Sequence, residues 1–255
     1  MLRRKRQRKY LVKRCLELRD QLHTFAASGS QEALHKLRVE IKKLKAFSEL
    51  TKLYKGEKEA TIKKNIKKIF HRAGIIREAG INLQMIRQFD ICQPLFSIKA
   101  TNIIQQESAK FRLHETRYDH DIRNTVISLL QSLHPVHSRD IKQWFSGQLK
   151  KIAIVVTAAS SDQLHEARKK IKNLIYVHGI LHKPLAAELK LKIDYLDQMQ
   201  DAIGKWHDAA VAVDLLEAHG SGKAKASKLR REQDKAREAI HAIGDGFWEK
   251  VVKQD

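Results

Sequence analysis

The chain has 255 residues, 42% of them hydrophobic, which is enough to bury a sizeable core in one large domain or two smaller ones. Its 50 lysines and arginines against 29 acidic residues give a formal net charge of +21, which favours a partner rich in negative charge. Cys15 and Cys92 form no CxxC pair and no apolar stretch could span a bilayer, so we expect a cytoplasmic protein without disulfide framework, export signal or membrane span.

Scarce helix breakers predict an all-α fold. Only three prolines and eleven glycines occur, and apolar residues between them recur at three- and four-residue spacing. Eight helices are predicted, with ends in chain order at 27–31, Gly56, 92–94, 134–138, 159–162, 182–184 and 219–223. The third helix, at about 57–90, and the seventh, at about 185–218, are predicted to be unusually long.

The sequence contains an internal repeat. Laid on "LHEARKKIKNLI" (164–175), the segment "LHKLRVEIKKLK" (34–45) matches at six positions, including His35/His165, Arg38/Arg168 and Lys42/Lys172, with an offset of 130. The same offset places "AGIIREAGINL" (73–83) on "IGKWHDAAVAV" (203–213), where Gly74 pairs with Gly204. One offset for two separated segments predicts tandem duplication of a four-helix unit, with repeat unit one at 1–134 and repeat unit two at 136–255.

Each copy of the repeated helix carries cations on one face. In the first copy His35, Arg38, Lys42 and Lys45 fall within an arc of about 80°, beside the apolar stripe. In the second copy His165, Arg168 and Lys172 share a face, with Lys169 alongside. The third predicted helix adds Lys63, Lys64, Lys67 and Lys68. Because like charges one turn apart repel, this pattern indicates a polyanion-binding surface. We expect four of its side chains to be solvent-facing and unpaired: Arg38, Lys42, Arg168 and Lys172.

The duplicated His-x-x-Arg helix, followed in each half by "GIIRE" (74–78) or "GKWHD" (204–208), resembles the CHAD family, the conserved histidine α-helical domains. The resemblance covers essentially the whole chain. It implies two four-helix bundles related by a pseudo-twofold axis, with long helices lining a basic central groove or channel, and binding of inorganic polyphosphate by the cations named above. The sequence departs from the family pattern at Glu78, where Asp is usual, and Ile175 stands opposite Lys45.

Two other functions compete with non-enzymatic polyphosphate binding. Sequence-nonspecific nucleic-acid binding would use the same charge, but aromatics make up 6% of the chain and none lies between Leu34 and Ala46. The chain could also be an accessory module to a triphosphate- or polyphosphate-processing enzyme, since relatives accompany such enzymes, and it could associate with polyphosphate granules. We expect no catalytic residues, metal or cofactor. The triphosphate-processing domains that accompany relatives have an ExExK signature, and "EKEAT" (57–61) lacks its lysine.

Four residues of the long helices are predicted to be structural or to support the binding residues. Arg77 and His207 lie near the apolar face in helical phase, each followed by a carboxylate, Glu78 or Asp208. A partly buried arginine beside a carboxylate most often holds a bundle together, so we expect these side chains to connect helices.

Overall fold

The three- and four-residue apolar spacing folds the chain into helices. The computed structural model describes residues 1–53, 62, 64–88, 94–158, 161–218 and 223–253. Within these ranges there are eleven helices and two isolated β-bridges but no strand, so the predicted all-α class is confirmed. None of the helices in the described ranges has both the length and the apolar composition needed to cross a membrane.

Met1–Val136 form one compact unit. Its helices are α1 (Arg4–Ser28), α2 (Gln31–Thr51), α3 (Lys64–Gln88), α4 (Pro94–Leu113) and α5 (Glu115–Gln131). Helix α1 packs on α2 and α5, and α3 packs on α2, α4 and α5. Phe25, Phe47 and Phe111 are fully buried in the core. A buried ion pair, Arg14 Nη1 to Glu40 Oε2 at 2.5 Å, joins α1 to α2.

His137–Asp255 form the second compact unit. Its helices are α6 (Ser138–Ala158), α7 (Ser161–His178), α8 (Lys183–Glu188), α9 (Ile193–Ala218), α10 (Lys223–Gly244) and α11 (Phe247–Val251). Helix α9 packs on α7, α10 and α11, and α6 packs on α7 and α10. Leu164, Ile171 and Leu174 of α7 are buried, as the apolar stripe of the repeat predicts.

The turn between α1 and α2 has clear local causes. Gly29 adopts the left-handed conformation (φ 70°) that few other residues tolerate, and its N–H donates to the Phe25 carbonyl at 2.8 Å. Ser30 then caps α2, its Oγ accepting from the Ala33 N–H at 3.2 Å. The helix end predicted at 27–31 is therefore confirmed, whereas the one predicted at Gly56 lies outside the described residues. Of the one predicted at 92–94 only Pro94, the first residue of α4, is described.

The prediction of eight helices is wrong, because three further breaks interrupt the predicted helices, and only the one at Gly246 carries a glycine signal. His114 leaves helical geometry (φ −101°, ψ 9°) between α4 and α5. Lys190 has φ 50° between α8 and α9, where Leu191 forms a β-bridge with Val252, so the predicted helix at about 185–218 begins only at Ile193. Gly246 (φ 59°) separates α10 from α11. Tertiary pairing with the C-terminal residues thus outweighs local helix propensity before α9.

Candidate polyanion-binding site

Helix α2 buries its apolar stripe and leaves its basic stripe accessible. Leu34, Leu37, Ile41 and Leu44 are buried. His35 and Lys45 are exposed, and Arg38 and Lys42 are half-buried at the edge of the core. The amphipathic pattern therefore places all four predicted side chains on one side of the helix, as an α-helical repeat requires.

Arg38 is fixed against α3. Its Nη1 donates to the Phe70 carbonyl at 2.6 Å, and its guanidinium lies 4.0 Å from the centre of the Phe70 ring. A Cβ atom at position 74 would lie 2.5 Å from Nη1, so Gly74 leaves the space that the guanidinium occupies. Burial lowers the pKa of Arg38, Arg77 lowers this pKa further, and Glu78 opposes both effects.

The second unit repeats this contact at the same sequence offset. Arg168 Nε donates to the Gln200 carbonyl at 3.1 Å, and a Cβ at position 204 would lie 2.8 Å from Arg168 Nη2. Each residue lies 130 positions after its counterpart in the first unit. The expectation that Arg38 and Arg168 are solvent-facing and unpaired is wrong, because each is half-buried and bonded to a helix carbonyl. This arginine–glycine contact explains why the glycines occur at matching positions.

The lysines of the first unit are more accessible than its arginine. Lys45 on α2 and Lys64, Lys67 and Lys68 on α3 are exposed, and no ion pair joins them to a described residue. Lys42 is half-buried and is not counted among these lysines, because it interacts with another residue. Lys63 lies outside the described residues. These cations keep their capacity to meet an anionic ligand.

The cations of the second unit have acidic neighbours. Lys169 pairs with Glu166 on the same helix, Nζ to Oε1 at 2.7 Å. Burial lowers the pKa of Lys172 most, and Arg168 lowers it further. Three α9 carboxylates raise the same pKa in opposition: Asp201, Asp197 and Asp208. The second basic stripe is therefore partly compensated by negative charge.

The two repeated histidines have different environments. His35 is exposed, whereas His165 is half-buried and its Nδ1, itself buried, has no hydrogen-bond partner among the described residues. The His165 and His207 rings lie 5.1 Å apart between centroids. Burial lowers the pKa of His165, and Lys169 and His207 lower it further. The lowered pKa therefore favours the neutral form of the His165 imidazole at neutral pH.

The residues predicted to be structural divide between packing and surface positions. Arg77 is half-buried, and its positive charge lowers the pKa of Arg38. Glu78 is exposed, and its negative charge raises the same pKa. His207 is half-buried against His165, and Asp208 is exposed and acts on Lys172. The His207 ring on α9 thus lies beside a ring of α7.

Sequence reasoning missed the acidic residues that face the second basic stripe. Asp197 and Asp201 both accept from Gln200 Nε2, at 3.1 and 2.5 Å, one turn before Gly204. The signal was present, because extending the 130-residue alignment toward the start of α9 pairs Lys67 with Asp197 and His71 with Asp201. Among the residues that the structure describes, no group of three or more His, Cys, Asp or Glu is arranged to hold a metal ion.

Fold and site together define a helical, strongly cationic protein in which an arginine from one helix contacts a glycine on the next. A family model for the CHAD domain matches residues 13–217, and the chain therefore belongs to the CHAD domain family, which confirms the resemblance. A crystal structure of the CHAD domain from the plant Ricinus communis superposes with a TM-score of 0.70 at 17% identity, covering 98% of this chain and 93% of that one. This likeness shows a shared fold. No curated protein matches the chain.

Proposed function

We propose that the chain binds inorganic polyphosphate through its basic helix faces and does not hydrolyse it. The observation that carries the proposal is the set of exposed lysines on α2 and α3 (Lys45, Lys64, Lys67 and Lys68), which no described carboxylate pairs. Polyphosphate is a linear polyanion without bases, so a row of point charges suffices to bind it without reading a sequence. Membership of the CHAD family and the net charge of +21 support the same ligand.

The recurring arginine–glycine contact supports a tandem duplication. In the proposed arrangement, each unit is one repeat, the two are related by a pseudo-twofold axis, and the long helices line a central groove whose positive charge comes from α3. Repetition of Arg38, Gly74 and their contact in Arg168 and Gly204 is what a duplicated helix pair would retain. A groove of this kind would let one long chain meet many cations.

Nucleic acid is the competing ligand, and the site offers it little stacking surface. Phe70, whose ring contacts Arg38 of the basic stripe, is half-buried and already covered by the Arg38 guanidinium. Sequence-tolerant single-strand binders instead present open aromatic faces to successive bases. We therefore expect DNA to bind more weakly than a polyphosphate of equal charge.

A competition titration tests the proposal. Long-chain polyphosphate, pyrophosphate and single-stranded DNA are titrated at one stated salt concentration, and long polyphosphate is expected to bind most tightly. Its affinity should fall with salt, with a log–log slope of about −0.7 for each phosphate contact if single-stranded nucleic acid is a fair model. An affinity independent of salt, or tighter binding of DNA, contradicts the proposal.

The same preparation tests for hydrolysis. Incubation of the protein with polyphosphate and Mg²⁺ should release no orthophosphate, measured by a colorimetric assay over hours. Release proportional to protein concentration would instead make the chain an enzyme. Co-sedimentation of the protein with polyphosphate granules, and of a polyphosphate-metabolising enzyme with the protein, would test the proposed partners.

A further inference from the structure

The two long helices carry opposite charge. Helix α3 has six basic residues and one acidic residue, whereas α9 has six acidic residues and one lysine. The 130-residue offset makes these two helices counterparts, because each contributes the glycine that contacts the arginine, Gly74 in α3 and Gly204 in α9. The equivalent elements of the two units therefore differ in the property that polyanion binding depends on.

The difference is concentrated on one face. Lys64, Lys67 and His71 of α3 are exposed and fall within an arc of about 60°. The residues 130 positions later are carboxylates, and all three are exposed: Asp194, Asp197 and Asp201. One stripe is therefore cationic in the first unit and anionic in the second.

In the second unit this acidic stripe faces the basic helix. Asp201 and Asp197 act electrostatically on Lys172, and Gln200 holds both carboxylates through its Nε2. In the first unit the counterpart of Lys172 is Lys42, but the positions that match Asp197 and Asp201 are Lys67 and His71. The carboxylates that act on Lys172 in the second unit thus have a lysine and a histidine as their counterparts in the first.

We propose that polyphosphate is held mainly by the first unit, through the exposed lysines of α2 and α3 (Lys45, Lys64, Lys67 and Lys68), and that the carboxylates of the matching stripe oppose its binding to the second unit. This inference rests on the proposed function. The physical reason is that phosphates approaching Lys172 also approach Asp197 and Asp201, so attraction and repulsion offset each other there. In the first unit the described residues of the matching stripe, Lys64, Lys67 and His71, include no carboxylate.

Reciprocal grafts of the stripe test the inference. The first variant gives the first unit the residues of the second: Lys64→Asp, Lys67→Asp and His71→Asp. The second variant gives the second unit the residues of the first: Asp194→Lys, Asp197→Lys and Asp201→His. The first graft should weaken long-chain polyphosphate binding by about tenfold or more, and the second should strengthen it by a comparable factor. The salt slope should become shallower by about 1.4 in the first graft and steeper by about 1.4 in the second, because each graft removes or adds two lysines that meet phosphates.

Matched controls on α10 separate local contact from net charge. Lys228→Asp, Lys235→Asp and His241→Asp change the formal charge by the same amount as the first graft, at exposed positions on a helix that does not carry the stripe. Glu232→Lys, Asp234→Lys and Glu238→Gln do the same for the second graft. Each control should alter the affinity less than its matched graft, because its new charges do not lie on the stripe that is proposed to meet the phosphates. Circular dichroism and melting confirm that every variant folds.

The outcomes distinguish this inference from the proposed function. If the unmodified protein does not bind polyphosphate, both fail together. If it binds, and each graft changes the affinity no more than its α10 control, the function stands and the assignment to the first unit is overturned. If a graft does not fold, the neutral pairs Lys64→Gln with Lys67→Gln and Asp197→Asn with Asp201→Asn decide the question, with a loss expected for the first pair and a gain for the second.

Discussion

The arginine–glycine contact of the first unit predicts that replacing Gly74 by alanine changes the free energy of unfolding in opposite directions with and without Arg38. Gly74 lies inside α3, where alanine is normally the better helix former by about 1 kcal/mol. A Cβ at this position would lie 2.5 Å from Arg38 Nη1, however, so the guanidinium must move when Gly74 becomes alanine. We therefore expect Gly74→Ala to destabilise the protein, against its intrinsic helix propensity.

The magnitude follows from what the guanidinium loses. Its hydrogen bond to the Phe70 carbonyl, 2.6 Å long and charge-assisted, is worth about 1.5–3 kcal/mol. Its position 4.0 Å from the Phe70 ring centre adds about 0.5–2 kcal/mol. Subtracting the propensity gain of about 1 kcal/mol leaves a net loss of about 2 kcal/mol in the free energy of unfolding. Without Arg38, only the gain remains.

Urea unfolding of a double-mutant cycle measures both effects. Gly74→Ala should lower the stability by about 2 kcal/mol in the unmodified protein and raise it by about 1 kcal/mol when Arg38→Ala is already present. Gly147→Ala is the control, because a Cβ at that helical position meets no other atom within 4 Å, and it should stabilise both backgrounds alike. Equal destabilisation by Gly74→Ala in both backgrounds would refute the arginine–glycine contact as the reason for this glycine.

Two further predictions concern a buried histidine and a buried ion pair. Burial, Lys169 and His207 lower the pKa of His165, so this side chain should titrate below 6.5 by NMR. Because the unfolded state then binds protons more readily, the free energy of unfolding should fall as the pH drops through 6.5. The fall should be smaller in His165→Gln. A midpoint above 6.5 would contradict this environment. Glu40→Ala should cost about 3–5 kcal/mol in urea unfolding because it strands the buried Arg14, whereas Arg14→Met combined with Glu40→Met should cost much less; equal costs would contradict the ion pair.

The repeat could be recognised from sequence, but the role of its arginine could not. Matching residues at one offset identified Arg38, Gly74 and their counterparts. That the two residues touch depends on how α2 lies against α3, a tertiary relation that spacing within one helix does not contain. The same limit made the arginines look solvent-facing, since helical phase places a residue at the edge of the core without saying which way a long side chain turns.

The helix breaks illustrate a second limit of sequence reasoning. Gly29 and Ser30 are residue types that favour a helix end and a helix start, so they predict the end of α1 and the start of α2. Lys190 does not, because its left-handed conformation comes with a β-bridge between Leu191 and Val252, some 60 residues apart in the chain. Breaks imposed by residue type are predictable, whereas breaks imposed by distant pairing require the fold.

The two units share the arginine–glycine contact and differ in the charge of the exposed stripe on α3 and α9. The cost of a substitution to folding differs between these two places. The glycine positions admit no Cβ without displacing an arginine, so a substitution there costs stability whatever the ligand. The stripe from Lys64 to His71, and its counterpart from Asp194 to Asp201, is exposed and could change charge at little cost to folding. A proposed duplication that began with two equal faces could therefore have lost cations from one of them without unfolding. The fold would then persist in both halves, while affinity for a polyanion remained in the half that kept its lysines.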